Sequence, residues 1–343
     1  MNLTGHAGTG PDEEVRMDNA GRTRVHTMHQ WSEQLVTAAS MYYAQGETME
    51  TIARHLGTSR STVSRLLKEA RETGLVRISI NPRAQDRSSV GTTLERLFGL
   101  NVTVVRVRDT ASELHRLNQV ARIAAQILSD TVSDESTVGV AWGTTLAAVV
   151  EHLTPRALHG VRVVQLNGGA NGSSFGIPYV GSIVGAMSQA WSGTPVLFPV
   201  PAFFDYAETK EAMWHERSVQ AVLAVQKQVD LAIFGVGALT STLPSHVYSQ
   251  GFLDENDMAE IAAEKVVGDV CTVLLRADGS WRDVSLNSRA TGPTPVELQS
   301  VQRRLCVVAG TAKAVPLLAA LRAKVATDLV VDDATARAVL ELL

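Results

Sequence analysis

The chain has 343 residues, 45% of them hydrophobic, and its 31 lysines and arginines are outnumbered by 35 aspartates and glutamates, which gives a net charge of −4. A chain of this length and composition can bury a large core, and its length predicts about two or three domains. No run approaches the roughly 18 apolar residues that a membrane-spanning helix requires, so we expect no membrane partner.

The first 30 residues and the two cysteines indicate the compartment. Residues 1–30 are polar, which predicts a disordered arm, and they lack the apolar run of a signal peptide. Cys271 and Cys306 each lie inside an apolar run, which favours buried free thiols over a disulfide or a metal site. These features together predict a cytoplasmic protein.

Residues 31–45 show an apolar helical pattern, and residues 48–80 follow with the pattern of a helix-turn-helix and a β-wing. Thr48 is placed to cap the first helix of this motif, and Gly57 suits the left-handed residue that closes it. The wing is predicted over Val76–Ile80. The apolar stripe of the first helix recurs at i, i+3, i+4 and i+7, at Met49, Ile52, Ala53 and Leu56.

The second helix of the motif has an apolar side and a side with short hydroxyls and basic groups. Short side chains allow a helix to approach base edges, and arginine can bond guanine bidentately. Residues 48–80 hold six basic against three acidic side chains, a local charge of +3 on an acidic chain. The alternative is an ordinary helical hairpin with a solvated basic face. We predict a buried side of Val63, Leu66, Leu67 and Ala70, and DNA contacts from Ser59 (also the cap), Arg60, Ser61, Thr62, Ser64, Arg65, Lys68 and Arg71.

The pattern changes after the motif. We interpret 31–82 as the DNA-binding domain, 83–92 as a linker and 93–343 as an effector domain. In the last range apolar strands alternate with helices, which predicts an α/β fold with a Rossmann-like parallel sheet covered on both faces. The predicted strands are 102–107, 137–141, 161–166, 196–199, 231–235, 270–275, 305–309 and 328–331, and the predicted helices lie near 112–129, 145–153, 178–191, 216–226, 255–264, 313–323 and 333–342.

Several loops follow the predicted strands with glycines and polar groups. Ligands of parallel sheets bind beyond the carboxyl ends of the strands, so these loops are the candidate effector site. Each loop taken alone is also compatible with an ordinary turn. Asp269 is also compatible with a plain turn residue, and Lys313 with a lysine exposed to solvent. The candidate effector residues are Gly143, Thr144 and Thr145 after one strand, Gly168, Gly169 and Asn171 after the next, Asp269, and Lys313 in Gly310–Lys313.

Motifs for other chemistries are missing from the sequence. It contains no Walker motif, no HExxH and no cluster of histidines and cysteines, so we expect neither a cofactor nor a bound metal. His152, His159 and His246 have unremarkable neighbours, which favours surface or satisfied core histidines. We find no nucleophile paired with a base, so we expect no catalytic residue.

The chain resembles the SorC family of bacterial sugar-responsive transcriptional regulators over nearly everything after residue 31. The most specific segments are YYAQGETMETIARHLGTSRSTVSRLLKEARETGLVRISI near the N-terminus and VVAGTAKAVPLLAALRAKVATDLVVDDATARAVLELL at 307–343. Between them lie LERLFGL at 94–100, VGVAWGTTL at 138–146, PVPAFFD at 199–205, VDLAIFGVGAL at 229–239 and VVGDVCTVLLRADG at 266–279.

This resemblance implies an effector domain similar in fold to glucosamine-6-phosphate deaminase and ribose-5-phosphate isomerase, with dimers or tetramers as the assembly. It implies that Gly143, Thr144 and Thr145 form a phosphate-binding loop and that Lys313 contacts the effector. It also implies a second glycine-rich loop at Gly168 and Gly169, and Asp269 falls where the family usually has an acid after a glycine. The family often carries a longer glycine run where this chain has Ala309-Gly310-Thr311.

Two functions from different classes follow. The first is a homo-oligomeric transcriptional regulator of a carbohydrate or polyol operon, whose affinity for operator DNA is set by a sugar, polyol or sugar phosphate. The second is a sugar-phosphate isomerase or deaminase with an appended DNA-binding module. Fold alone does not decide between them, but the lack of a complete acid-base set favours the regulator.

Overall fold

A computed structural model of the chain describes residues 31–76, 89–170, 176–241, 243 and 245–343, of which 176–178 are described by their backbone alone. The chain divides into two compact units, Met1–Asn81 and Pro82–Leu343. The predicted arm, the wing residues 77–80 and Asn171 lie outside the described residues.

The N-terminal unit is a bundle of three helices. Helix α1 covers 31–39 and runs on as a π-helical turn over Ser40–Ala44. Helices α2 (Met49–His55) and α3 (Arg60–Glu72) follow. These last two are the helices of the predicted helix-turn-helix.

The predicted helix starts and stops of this unit are confirmed. The Thr48 hydroxyl accepts a hydrogen bond from the Thr51 N–H at 3.2 Å, and the Ser59 hydroxyl accepts one from the Thr62 N–H at 3.1 Å. Such caps satisfy N–H groups that have no partner within the helix. Gly57 has a φ of 62°, in the left-handed region that favours glycine.

The core of this unit forms where the apolar stripes of the three helices meet. Leu35 and Ala38 of α1 pack with the buried sides of α2 and α3 in a single cluster. The predicted buried side of α3 is confirmed, since Val63, Leu66 and Ala70 are fully buried. The opposite side of α3 therefore faces outward within this unit.

The C-terminal unit is built on a seven-stranded parallel sheet in the order β1-β10-β9-β5-β2-β3-β4. Its strands are β1 (Asn101–Val105), β2 (Thr137–Val140), β3 (Arg162–Gln165), β4 (Thr194–Val196), β5 (Leu231–Phe234), β9 (Arg303–Val308) and β10 (Asp328–Asp332). A second sheet joins β6 (Gly237–Ala238), β7 (Val266–Val270) and β8 (Val273–Arg276) in antiparallel pairs.

Helices cover both faces of the parallel sheet, as predicted from its apolar strands. Leu231 and Ile233 of β5 enter the core on one face, and Ala232 and Phe234 enter the core on the other. The helices are α4 (Ser89–Phe98), α5 (Glu113–Thr131), α6 (Thr144–Val150), α7 (Gly176–Ala190), α8 (Ala207–Trp214), α9 (Arg217–Gln226), α10 (His246–Ser249), α11 (Glu255–Ala263), α12 (Pro295–Gln299), α13 (Ala314–Arg322) and α14 (Asp333–Glu341).

The single strand predicted over 270–275 is wrong. The chain instead reverses at Cys271 and Thr272, whose φ angles are 51° and 70°, so that β7 and β8 form a hairpin. Turns with two left-handed residues normally carry asparagine or glycine, and positions 271 and 272 hold neither, so no turn was predicted there. The Asp269 carboxylate supports the turn by accepting the Thr272 N–H at 3.0 Å. Asp269 therefore lies inside β7 and not before a strand.

Helix α4 was not among the predicted helices. It begins at Ser89, inside the range 83–92 that we interpreted as a linker. The helix forms because Leu94 is fully buried in the core beneath the sheet, with Val90 and Phe98 packed beside it. This burial depends on strands far along the chain, which a local polar pattern does not reveal.

Candidate functional site

Loops from several strand ends converge on one cavity in the C-terminal unit. Strands β9, β5, β2 and β3 are neighbours in the sheet and all parallel, so the loops after them meet at one edge. Five of the predicted effector residues line this cavity: Gly143, Thr144, Thr145, Asp269 and Lys313. The rest of the lining includes Trp142, Asn167, Gly235, Gly237, Leu243, Ser245, His246 and Thr272. The cavity volume is about 50 Å³.

The loop between β2 and α6 forms one wall. Gly143 has a φ of 145°, and an added Cβ would meet nothing within 4 Å, so backbone conformation and not space accounts for glycine here. The Thr144 hydroxyl lies within hydrogen-bond distance of His246 Nε2, at 3.3 Å. Thr145 is buried beside it. Two hydroxyl side chains thus stand at this strand end.

Asp269 is a buried carboxylate held by two donors. The Tyr248 hydroxyl donates to Asp269 Oδ1 at 2.9 Å, and the Thr272 N–H donates to Oδ2. Burial raises the pKa of Asp269, and the two hydrogen bonds oppose that rise. Burial and the adjacent carboxylate raise the pKa of Tyr248 well above its usual value, so the phenol remains a donor.

Lys313 brings a cation to the same cavity. It ends a 3₁₀ turn over Thr311–Lys313, and Gly310, which precedes the turn, donates its N–H to Asp332 Oδ2 at 2.9 Å. Asp332 is itself held in a buried ion pair with Arg116 at 2.9 Å. Burial lowers the pKa of Lys313, while the negative charge of Asp269 counteracts that shift.

Sequence reasoning missed Asn167 as a cavity residue. Its side chain is 2% exposed, it lines the cavity, and its Oδ1 has no hydrogen-bond partner among the described residues. An unsatisfied buried acceptor is costly, which makes this oxygen a strong candidate for a ligand hydroxyl. Asn167 directly follows the predicted strand 161–166, so the strand-end rule contained the signal that would have found it.

His246 was also missed, because its neighbours in the sequence carry no signal. We interpreted it as a surface or core histidine, whereas it lies in the cavity wall beside Thr144. The Tyr179 ring packs edge-on against its imidazole, with the ring centroids 5.1 Å apart. Burial lowers the pKa of His246, which favours the neutral imidazole.

Gly168 and Gly169 are placed beside the cavity but not in its lining. A Cβ added to Gly168 would lie 2.1 Å from the Pro201 carbonyl oxygen, and one added to Gly169 would lie 2.5 Å from Val180 Cγ2. The Trp142 indole N–H donates to the Gly168 carbonyl at 2.8 Å. At both positions the lack of a side chain lets the glycine backbone pack closely against neighbouring atoms.

The predicted DNA-contacting residues share one side of α3. All of them are exposed within the N-terminal unit except Thr62, which is partly buried. The Ser59 hydroxyl is occupied by its cap and by contacts to the Ser61 and Thr62 hydroxyls at 2.7 and 2.9 Å. Lys68 pairs with Glu72 at 3.6 Å, a solvent-exposed ion pair that costs little to break.

The described parts of the chain contain neither a cluster suited to a metal ion nor a helix suited to a membrane. No group of three or more histidine, cysteine, aspartate or glutamate side chains there is arranged to hold a metal ion. No helix in those parts combines the length and apolarity needed to cross a membrane. Cys271 and Cys306 are both buried and not joined in a disulfide.

Two family models match the chain and divide it as the two units do. Residues 83–341 match the model described as "Putative sugar-binding domain", and residues 31–77 match a homeodomain-like helix-turn-helix model. The deoxyribonucleoside regulator of Bacillus subtilis (strain 168) is 31% identical, over 88% of this chain and 96% of that protein. The sorbitol operon regulator of Klebsiella pneumoniae is 24% identical, over 90% of this chain and 97% of that protein.

Solved structures agree with these sequence comparisons. A domain of "a possible sugar-binding transcriptional regulator" from Arthrobacter aurescens TC1 is 45% identical, with a TM-score of 0.70 over 75% of this chain and 99% of that one. Full-length SorC from Klebsiella pneumoniae, 24% identical, has the same fold, with a TM-score of 0.72 over 89% of this chain and 97% of that one.

The chain belongs to the SorC family of DNA-binding transcriptional regulators, in which a helix-turn-helix precedes a sugar-binding domain. Three of its relatives are named as a deoxyribonucleoside regulator, a sorbitol operon regulator and an erythritol catabolism regulatory protein, and not as enzymes. The comparisons therefore favour the regulator over the isomerase or deaminase.

Proposed function

We propose that this regulator controls a carbohydrate or polyol catabolic operon and that a small sugar, polyol or sugar phosphate binds in the cavity and sets its operator affinity. The observation that carries the proposal is the unsatisfied Asn167 Oδ1, which is buried in the same cavity as Asp269 and Lys313. An orphan acceptor, a carboxylate and a cation together suit a polyhydroxy ligand, with or without a phosphate. Two relatives are named after sorbitol and erythritol, which are polyols, and these names support this class of ligand.

The small size of the cavity indicates how a ligand could change the conformation of this unit. A volume of about 50 Å³ is far below the roughly 300 Å³ of the smaller ligand sites in proteins, so a sugar binds only when the cavity enlarges. The wall around His246 and Tyr248 is held by contacts to Thr144 and Asp269. A ligand that takes over those two partners favours the enlarged form, and so shifts the population of conformations.

The DNA-binding part of the proposal places α3 in the major groove of a pseudo-palindromic operator. Two copies of the chain present two such helices, so we propose a dimer or tetramer in the cytoplasm as the working form. DNA contacts come from Arg60, Ser61, Thr62, Ser64, Arg65, Lys68 and Arg71, with Ser59 as the cap that starts the helix. The effector changes operator affinity only as far as it binds one arrangement of subunits better than another.

A ligand screen tests the effector part directly. Sugars, polyols and their phosphates are added singly to the full-length protein, and the melting temperature of the C-terminal unit is recorded. We expect at least one compound to raise it, because a ligand that binds only the folded state stabilises that state. A panel without any stabilising compound would contradict the proposal, and turnover of a stabilising compound would favour the enzyme.

Replacing Asn167 with leucine is expected to separate binding from stability. The variant removes an unsatisfied buried acceptor and keeps the number of side-chain heavy atoms and the branch at Cγ, although its methyl groups are bulkier than the amide. The free energy of unfolding should therefore change by no more than about 1 kcal/mol, because relief of the unsatisfied acceptor offsets the tighter packing. Affinity for the stabilising compound should fall about 5- to 150-fold, since a ligand hydroxyl left without its partner in a buried site costs about 1–3 kcal/mol. Urea unfolding and calorimetric titration measure the two quantities.

Gln165 supplies the matched control for this variant. It is also a buried amide, but its Nε2 donates to the Asn167 carbonyl oxygen and its Oε1 accepts the Phe198 N–H. Gln165→Leu should therefore lower the free energy of unfolding, by about 1–3 kcal/mol. If Asn167→Leu behaves like Gln165→Leu, Asn167 is a structural residue and not a ligand contact.

Arg65→Ala is expected to weaken binding to the specific operator about 5- to 150-fold while affecting unrelated DNA little. An arginine that reads a base contributes about 1–3 kcal/mol of discrimination, whereas a phosphate contact weakens binding uniformly across sequences. Arg54, an exposed arginine of α2 outside the predicted contact set, provides the control as Arg54→Ala. Fluorescence anisotropy with both duplexes measures the effect, and equal losses on the two would show that Arg65 contacts phosphate alone.

A further inference from the structure

A side chain from α1 lies directly against the predicted DNA-contacting face. The Arg65 guanidinium carbon is 5.0 Å from the centroid of the Trp31 ring, a cation–π contact. The Trp31 indole N–H in turn donates to both carboxylate oxygens of Glu69, at 3.2 and 3.1 Å. Arg65 and Glu69 are four residues apart on α3, so Trp31 is in contact with two neighbours of one helical face.

This arrangement replaces an expected ion pair. An arginine and a glutamate four residues apart on a helix are placed to pair with each other. Within the described residues 31–76, however, Arg65 and Glu69 form no ion pair within 4 Å, and the Glu69 carboxylate accepts the indole N–H. Trp31 thus keeps an acidic partner away from the cation that is predicted to contact DNA.

The cation–π contact also leaves the arginine ready to bind. Among the described residues 31–76 the Arg65 guanidinium has no hydrogen-bond or ion-pair partner, so its N–H groups remain available for a bidentate bond to a base or phosphate. A free arginine side chain loses up to about 2 kcal/mol of rotamer entropy when it is fixed. A guanidinium already held on an indole ring has lost part of that freedom before DNA arrives.

We propose that Trp31 is a positioning residue for DNA recognition, which holds the Arg65 guanidinium in place and keeps Glu69 from pairing with it. This inference rests on the proposed role of α3 as the helix that contacts operator DNA. Trp31 itself needs no contact with DNA for this role.

The experiment compares affinities for two duplexes. The first is the sequence most enriched from a random 24-base-pair library by the full-length wild-type protein, and the second is a shuffled version of it. Trp31→Leu keeps an apolar side chain in the partly buried position but removes the aromatic face. We expect about two- to fivefold weaker binding to the enriched duplex, the range that an exposed cation–π contact supplies, and a smaller loss on the shuffled one.

A matched control comes from the other unit. Arg282 lies over the ring of Trp281 at the same distance, 5.0 Å, in the sugar-binding domain. Trp281→Leu should leave both affinities at their wild-type values. A loss of the same size in this variant would overturn the proposal, because it would show that the effect does not depend on Arg65.

A double-mutant cycle separates positioning from packing. In the Arg65→Ala background, Trp31→Leu should cost no further affinity, because the group that Trp31 positions is gone. An equal loss in both backgrounds would overturn the proposal and leave Trp31 as a packing residue. Failure of the wild-type protein to enrich any duplex is a different outcome, which would overturn the proposed function and this inference together.

A second variant covers the case in which Trp31→Leu lowers the stability of the N-terminal unit. Trp31→Phe keeps an aromatic face for Arg65 but has no N–H for Glu69. The freed carboxylate should then pair with Arg65 and weaken binding to the enriched duplex, and adding Glu69→Gln should restore it. If Glu69→Gln has no such effect, the shielding of Arg65 by Trp31 is disproved.

Discussion

Replacing Lys313 with methionine is expected to weaken binding of a phosphorylated effector about 10- to 150-fold while leaving operator binding without effector unchanged. Methionine keeps much of the length of the side chain but removes the only cation among the residues that line the cavity in the described parts of the chain. Losing a hydrogen bond to a charged group costs about 1.5–3 kcal/mol. The expected readout is the midpoint of a ligand titration followed by melting temperature, with operator affinity measured in parallel.

The size of the Lys313→Met effect also discriminates between ligand classes. A neutral sugar or polyol should lose much less affinity than a phosphorylated one, because only the phosphate forms a charge-assisted bond with the ammonium group. Lys227→Met, at an exposed lysine at the end of α9, is the control and should bind as the wild type does. An unchanged affinity of Lys313→Met for a phosphorylated effector would contradict the placement of the phosphate at this residue.

Gly168→Ala is expected to lower the free energy of unfolding of the C-terminal unit by about 3 kcal/mol, the upper end for forcing atoms into a packed core. The added Cβ would lie 2.1 Å from the Pro201 carbonyl oxygen, so the backbone around Pro201 must move. For a domain of this size we expect a fall in melting temperature of roughly 6–12 °C. Thermal unfolding followed by circular dichroism measures it.

Gly181→Ala is the matched control for this prediction. Gly181 lies within α7, and a Cβ added there would meet nothing within 4 Å. Alanine is favoured over glycine inside a helix by about 0.5–1 kcal/mol, so this variant should be slightly more stable than the wild type. If Gly168→Ala melts like the wild type but no longer responds to effector, Gly168 is a ligand contact and our assignment of a packing role is wrong.

The helix-turn-helix shows how far local patterns determine structure. Capping by Thr48 and Ser59, the left-handed Gly57 and the buried side of α3 were all predicted and are confirmed, because each depends on neighbours within about one or two helical turns. The cation–π contact between Arg65 and Trp31 was not predicted. It joins residues 34 positions apart, and no local periodicity encodes such a contact.

The effector cavity shows the complementary case. Apolar strands alternating with helices predicted a parallel sheet, and the strand-end rule identified the loops that carry Thr144 and Lys313. It did not reveal which loops are neighbours, since the strand order β9-β5-β2-β3 is not the order of the chain. No sequence pattern around His246 predicted that it would line the cavity.

The family could be read from the segments that resemble the SorC family. The division into two units, the α/β architecture and the caps of the DNA-binding helices could be predicted from local patterns, because periodicity and capping act between residues close in the chain. Only the tertiary structure decided that Asn167, Asp269 and Lys313 share one cavity, that Gly168 is buried against backbone, and that Cys271 and Thr272 turn the chain back. These features arise where packing holds together segments far apart in the chain, such as Gly168 and Pro201, 33 residues apart, or Asn167 and Lys313, 146 residues apart. Packing likewise holds the turn at Cys271 and Thr272, which has neither glycine nor asparagine. The contacts that stabilise these features form only once the whole sheet has assembled.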